Sequence, residues 1–232
     1  MIESIIEITH LRILLALIML GIASYTDVKK REVSDFLWVG FGIAAVALIF
    51  LEPNVEESLL SIGISLIVAP FVLIIWRFGL FGGADAFAVI VLAALAPQVT
   101  ITENIVTPFT VLTNTVILSV IPMFVNLIRN LIQIGMKNDI FEGFVESKSR
   151  RVLAMFVGYR AKNPKYGFSI ERKDGKKKKL NLSLQHAEYA QFCTTPNTWV
   201  TPGVPYMLFI AGGFTIQLIY GDVIFSFLGL VP

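Results

Sequence analysis

The chain has 232 residues, of which 55% are hydrophobic and 16% charged, and its mean hydropathy is +0.73. A soluble protein of this length carries more charge and shorter apolar runs, so the composition excludes an ordinary soluble enzyme and points to a polytopic membrane protein. The formal net charge is only +2, and the single cysteine, Cys193, excludes a disulfide framework or a multi-cysteine zinc site within one chain.

Taken in order, six apolar segments approach the roughly 17–25 residues that a spanning helix needs. They cover residues 11–27, 36–51, 59–76, 84–96, 106–134 and 204–225. Glu3 and Glu7 precede the first of them, where a secretory signal requires positive charge, so it reads as a retained span. Between 136 and 201 the apolar runs shorten and charges become frequent. Within this stretch RVLAMFVGYR (151–160) reads as a strand. FSIERKDGKKKKLNLSL reads as a hairpin turning at Asp174-Gly175, and HAEYAQF as a helical turn. The fold class expected is therefore an all-α bundle of six transmembrane helices, with a small cytosolic α+β insertion between the fifth and sixth. The divisions fall at 1–135, 136–201 and 202–232. About 65 residues barely support a core of their own, so the insertion is expected to lean on the bundle.

Orientation follows from lysine and arginine. With both termini outside, the inner loops hold Lys29, Lys30, Arg31, Arg77 and every basic residue from Arg129 to Lys179; of the 19, only Arg12 falls outside. The outer loops carry Glu52, Glu56, Glu57 and Glu103. Trp38, Trp76 and Trp199 fall near expected inner helix ends, as an interfacial belt would place them.

Two acids then stand out. Asp27 closes the first helix and Asp85 opens the fourth, so both carboxylates lie near the inner face, each with an apolar helix attached. Two carboxylates held together share one proton. The ionised one can take a proton from water while the protonated one donates to a peptide carbonyl, which is the chemistry of aspartyl proteolysis. Asp35 is an ordinary N-cap candidate, and Asp85 alone would suit the same role. Gly79, Gly82 and Gly83 permit backbone forms closed to other residues and a close approach of substrate. Asp222 is placed toward the outer end of the last helix, and His10 and His186 read as structural. Pro202 and Pro205 are helix-start residues. The run at 176–179 is a solvated lysine turn, able to meet anionic lipid.

The run Gly82-Gly83-Ala84-Asp85 resembles the glycine-x-glycine-aspartate signature of intramembrane aspartyl proteases, with Ala84 where many members have a second glycine. The run DVKKREVSD at 27–35 is similar to the first-aspartate motif of type IV prepilin peptidases, with Val33-Ser34-Asp35 in place of the Ile-Pro-Asn frequent there. TPGVPY at 201–206 is similar to the proline- and glycine-rich entry of their last helix. Six spans, no cysteine-bearing zinc domain and the late insertion resemble the archaeal preflagellin (archaellin) peptidases.

The resemblance implies an aspartic endopeptidase with Asp27 and Asp85 as its catalytic pair. Gly82, Gly83 and Ala84 would be backbone-positioning residues, and Pro202, Gly203 and Pro205 would shape a substrate groove. It implies preflagellin or archaellin precursors as substrates, each cut behind a short basic leader. Glu32 and Asp35 are candidates to hold that leader, with Asp139, Glu142 and Glu146 beside them. The partners expected are those precursors and the lipid bilayer, without nucleic acid; no cofactor and no metal are expected. Two other classes stand against this reading: a small proton-coupled transporter or channel using Asp27 and Asp85 as a relay, and a membrane scaffold whose cytosolic domain binds partners.

Overall fold

The computed structural model describes residues 2–102, 104–174, 177–182 and 190–229. They form two compact units, one from the residues up to Leu118 together with those from Pro205 onward, the other from Ser119 to Val204.

The first unit is helical. It comprises α1 (Ile2–Lys30), α2 (Asp35–Ile49), α3 (Val55–Ser65), α4 (Val68–Arg77), α5 (Gly83–Leu95) and nearly all of α6 (Thr110–Ser119). The second unit holds α7 (Ile121–Gly135), α8 (Lys148–Val157), β1 (Tyr159–Ala161), β2 (Gly167–Ser169), β3 (Glu171–Asp174), β4 (Lys177–Leu180) and β5 (Thr198–Pro202). The chain then returns to the first unit with α9 (Tyr206–Tyr220) and α10 (Val223–Phe227).

Among the described residues three helical stretches are long and apolar enough to cross a membrane: Ile6–Lys30, Val55–Arg77 and Thr110–Gly135. The latter two each contain a break with a proline behind it. Pro70 has no N–H to return to Leu66, where α3 gives way to α4, and Pro122 has none to return to Leu118, where α6 gives way to α7. The segments expected as spans two, four and six form shorter apolar helices of 15, 13 and 15 residues. A helix of 15 residues rises about 22 Å, less than the roughly 30 Å of bilayer hydrocarbon. The terminators are local: Pro97 lies just beyond α5, and Gly221 takes φ +70 after α9, where a Cβ would press on Ile105 O at 2.7 Å.

The core of this unit lies on α1, α5 and α9, with α2 and α4 flanking α5. On α1 the buried positions Ile13, Ala16, Met19, Leu20 and Ala23 make one helical stripe, while Leu14, Ile18, Ile22 and Tyr25 are exposed, as lipid-facing residues would be. Alanines such as Ala16, Ala23, Ala86 and Ala88 lie among larger buried side chains, and small residues let helices in lipid approach closely. Gly213 on α9 is the tightest case: a Cβ there would lie 2.5 Å from Thr115 Oγ1 and 2.9 Å from Val111 O on α6.

The second unit has a core of its own, in which Phe141, Phe144, Met155, Ile170, Leu180 and Trp199 meet. β5 is central in an antiparallel sheet of order β1-β5-β2, and β3 pairs with β4 as a hairpin in the register Glu171↔Leu180 to Asp174↔Lys177. The expected turn residue Gly175 lies outside the described residues, as do 176 and 183–189, which include His186 and most of the expected helical turn, and Glu103.

Two expectations are corrected here. Residues 151–157 are not a strand but most of α8, and strand begins only at Tyr159. Ser147 caps α8 by accepting from Arg150 N–H, and Asn126 and Asn130, one turn apart on α7, donate to Phe156 O, Met155 O and Gly158 O at its far end. Nor do the tryptophans form an interfacial belt. Trp199 is fully buried, stacked on Phe141 at 4.9 Å with its indole N–H donating to Ile140 O, and Trp38 is buried in the helical core.

Candidate active site

Asp27 lies in the last turn of α1, which closes at Arg31, held at φ +58 with its N–H donating to Asp27 O. A carboxylate at the carbonyl end of its own helix gains nothing from that helix's dipole. Its partner comes from elsewhere: Met207 N–H, in the first turn of α9, donates to Asp27 Oδ2 at 3.2 Å. The first N–H groups of a helix have no partner within it, so an anion at that end is favoured twice, by a hydrogen bond and by the dipole. α9 can start there because Pro205, its N-cap, needs no N–H partner.

Asp85 sits at the third position of α5 rather than at the N-cap, which is Gly82. Its Oδ2 accepts from Gly82 N–H at 3.0 Å. Among the nearby glycines only Gly79 takes the left-handed backbone, at φ +74; Gly82 has an ordinary φ of −74. Space is what Gly82 supplies, since a Cβ there would lie 3.2 Å from Asp85 Oδ2 and crowd the carboxylate. Gly83 opens α5, and Ala84 is half-buried against the core.

Asp27 and the approach to α5 meet the same element. Phe81, just before α5, packs its ring on Tyr206 at 5.1 Å between centroids, and the next residue, Met207, donates to Asp27. The start of α9 thus touches the end of α1 and the approach to α5, and both Asp27 and Asp85 are half-buried there. Sequence reasoning had no means of finding Met207, whose contribution is a backbone N–H; the one sign of it is Pro205, which marks a helix start two residues earlier.

Glu32 and Asp35 are exposed in and after the α1–α2 turn; Ser34, not Asp35, occupies the N-cap of α2, without a side-chain cap. Pro202 is a strand residue rather than a helix start, pairing with Gly167 at the end of β5 in the second unit. Gly203 follows it there, with its N–H donating to Tyr166 O at 2.7 Å. Glu146 is already engaged: it accepts from Leu180 N–H and from Arg150. Burial acts to raise its pKa, but those bonds and the charges of Arg150 and Lys179 outweigh it and hold the carboxyl below its ordinary value of 4.5. Asp139 accepts from Phe141 N–H, and Glu142 is exposed.

Residues 14–125 match the model of the type IV leader peptidase family, and residues 146–223 match that of the archaeal peptidase A24 C-terminus, type II. The chain is 27% identical over 228 residues to the preflagellin peptidase of Methanococcus maripaludis, covering 89% of this chain and 94% of the relative. It is 26% identical over 216 residues to the preflagellin peptidase of Methanocaldococcus jannaschii, covering 87% and 90%. The two matched regions together span most of the chain, and both match peptidase A24 models.

Proposed function

We propose that this chain, as a leader peptidase, removes the leader from preflagellin-like precursors at the membrane, and that Asp27 and Asp85 activate the water that does so. The observation that supports the reading is that the start of α9 meets both the end of α1 and the approach to α5: Met207 N–H binds Asp27, and Tyr206 packs on Phe81, four residues before Asp85.

The chemistry needs one proton shared by the pair. The ionised carboxylate removes a proton from water as its oxygen attacks the scissile carbonyl carbon. The protonated carboxylate gives its proton to the carbonyl oxygen, so the tetrahedral intermediate forms as a neutral diol. Collapse returns a proton to the leaving amine, breaks the C–N bond and restores the shared proton. No bond forms between enzyme and substrate. Positioning by backbone N–H groups suits this chemistry, because such donors hold a carboxylate without competing for its proton.

In this reading all six apolar helices span, with both termini outside and the inner ends of α1 and α5 at the cytoplasmic face. The three short helices are then matched by local thinning of the bilayer. Residues 136–201 form a cytosolic insertion. A precursor whose apolar helix enters the bundle presents its leader junction at the depth of the two carboxylates, and Glu32 and Asp35, exposed in the adjoining turn, face its basic leader. The relatives lend no support to a transporter.

The test is leader removal from a precursor with a short basic leader, in detergent or nanodiscs. Asp27→Asn and Asp85→Asn are each expected to abolish cleavage while the protein stays folded in the membrane, and activity is expected to persist in EDTA. Cleavage at a normal rate by either variant refutes the pair; loss in EDTA that a divalent metal restores makes the aspartates metal ligands instead.

A further inference from the structure

One charged group lies deep in the helical unit and far along the chain from the candidate active site. Arg12, on α1, is 3% exposed. All three of its guanidinium nitrogens are engaged: Nε donates to Glu52 Oε1 at 3.0 Å, Nη1 to Leu95 O at 2.9 Å and Nη2 to Ser58 Oγ at 3.3 Å. The partners belong to the connection after α2, to α3 and to the last residue of α5. Leu95 O is available because α5 ends there, two residues before Pro97, and a cation at a helix C-terminus also meets the favourable end of the dipole.

The location gives this arrangement its meaning. α1 carries Arg12 toward one end and Asp27 toward the other, about 22 Å apart at 1.5 Å per residue. α5 carries Leu95 at one end and Asp85 at the other, about 15 Å apart. Arg12 therefore ties the two aspartate-bearing helices together at the ends remote from their carboxylates. Between the tie and the carboxylates the helices touch through alanines and aliphatic side chains such as Ala16, Ala23, Ala86 and Val89, which offer packing but no directional bond. The start of α9 holds Asp27 and the approach to α5 at one end and Arg12 holds the other, so the separation of Asp27 and Asp85 also depends on how firmly the far end is held.

We propose that Arg12 is a positioning residue for the reaction: it is the pivot about which α1 and α5 bring Asp27 and Asp85 into register. The inference rests on the two-aspartate reading above. Arginine suits the role where lysine does not, because only a planar fork reaches a carboxylate, a hydroxyl and a carbonyl on three elements at once.

The test has two independent readouts on the full-length protein. The first is the steady-state kinetics of leader removal by Arg12→Gln, Arg12→Lys and the milder Glu52→Gln. Loss of the pivot is expected to lower kcat by about tenfold or more in Arg12→Gln with KM within about twofold, since the defect lies in the reacting geometry and not in substrate contact. Arg12→Lys is expected to recover little of it, and Glu52→Gln to show a smaller loss in kcat. The second readout is the distance distribution between spin labels at Val28→Cys and Phe87→Cys, in a Cys193→Ser background. Both positions are exposed, at 43% and 41%, and flank the two aspartates. The distribution is expected to broaden in Arg12→Gln.

A folded Arg12→Gln with unchanged kcat overturns the proposal. So does a fall in activity that only tracks the amount of folded protein while the distances stay narrow. If Arg12→Gln does not fold, Glu52→Gln decides, and unchanged kcat and distances there overturn the proposal. Failure of the parent reading looks different: Asp27→Asn or Asp85→Asn would then remain active, and the label distances would still report whether Arg12 pins the helices.

Discussion

The two ends of α9 treat a carboxylate in opposite ways. Beyond its C-terminus Asp222 is 1% exposed, and its two oxygens accept four bonds: from Thr110 and Thr113 hydroxyls at 3.0 and 3.1 Å, and from Ile224 and Phe225 N–H at 3.0 and 3.2 Å. Asn114 beside it is used as fully, donating to Gly221 O and accepting from Val223 N–H. At the N-terminus of α9, Asp27 is half-buried and takes one hydrogen bond, from Met207 N–H. A carboxylate with every lone pair filled is a fastener, fixing α6 to the turn between α9 and α10. A carboxylate with lone pairs left over can still bind water and exchange a proton. At the two ends of one helix, then, a carboxylate saturated by described residues stands against one left with free lone pairs, the acid proposed to be catalytic.

Substitution at both ends breaks the comparison most directly. Asp27→Asn is expected to lower the rate of leader removal by about 10²–10⁴-fold, the usual worth of a general acid or base, with little change in thermal midpoint. Asp222→Ala is expected to do the reverse. It strands two hydroxyls and two N–H groups in a buried place, so it should cost about 2–4 kcal/mol of stability, while the protein that remains folded cleaves at nearly the normal rate. Measuring both quantities on both variants decides the matter. If Asp222→Ala inactivates without destabilising, Asp222 is part of the chemistry and the distinction drawn from bond counting fails.

A finer cut asks what the single bond to Asp27 does. Met207→Pro removes that N–H together with the Met side chain, and proline is tolerated in the first turn of a helix. A hydrogen bond to a charged group contributes about 1.5–3 kcal/mol, so kcat is expected to fall by about ten- to hundredfold if the bond holds Asp27 in its reactive position. Met207→Ala, which keeps the N–H, is the control and should stay within about threefold. Equal effects from both substitutions would mean that the Met207 side chain, which is buried, matters and the bond does not.

Much of this was legible in the sequence, for reasons that differ by element. The apolar runs reported helices because lipid leaves no other way to satisfy a backbone, and the acids at 27 and 85 stood out because charge is rare beside such runs. That Asp27 closes one helix and Asp85 opens another followed from those same runs. What failed was local. RVLAMFVGYR has the β-branched and aromatic content of a strand, yet Ser147 before it and two asparagines on α7 make a helix of its first part. Trp199 reads as an interfacial anchor by position but is the buried centre of the second unit's core. Asp85 alone would suit an N-cap because aspartate is a preferred one, but the cap is Gly82. In each case the deciding partner lies in a different element or is a backbone group, neither of which leaves a mark on the residue itself. The bond from Met207 to Asp27 spans 180 positions and the tie from Arg12 to Leu95 spans 83.

The smallest effect extends the comparison to the second unit. Glu146 resembles Asp222 in having both oxygens engaged: Oε1 accepts from Leu180 N–H, which ties it to the end of β4, and Oε2 from Arg150 one turn along. Those bonds hold its pKa below the ordinary 4.5 against the opposing effect of burial. The sign of the consequence follows. With the folded value lower than the unfolded one, the folded state binds the proton less well, so the contribution to stability is complete above about pH 4.5 and disappears as the pH falls through the folded value. The magnitude is modest, about 1 kcal/mol, because Arg150 is largely exposed and its charge is screened. Thermal midpoints of the wild type and Glu146→Gln, measured from pH 6 downward, are therefore expected to differ at the upper end and to converge as the pH falls through the folded value. Cleavage at neutral pH should be unaffected by the substitution, as befits a fastener. A gap in midpoint that persists unchanged into acid would mean that Glu146 contributes through packing alone. A rise in KM for the precursor at neutral pH, without loss of stability, would instead return Glu146 to the acids that hold a basic leader.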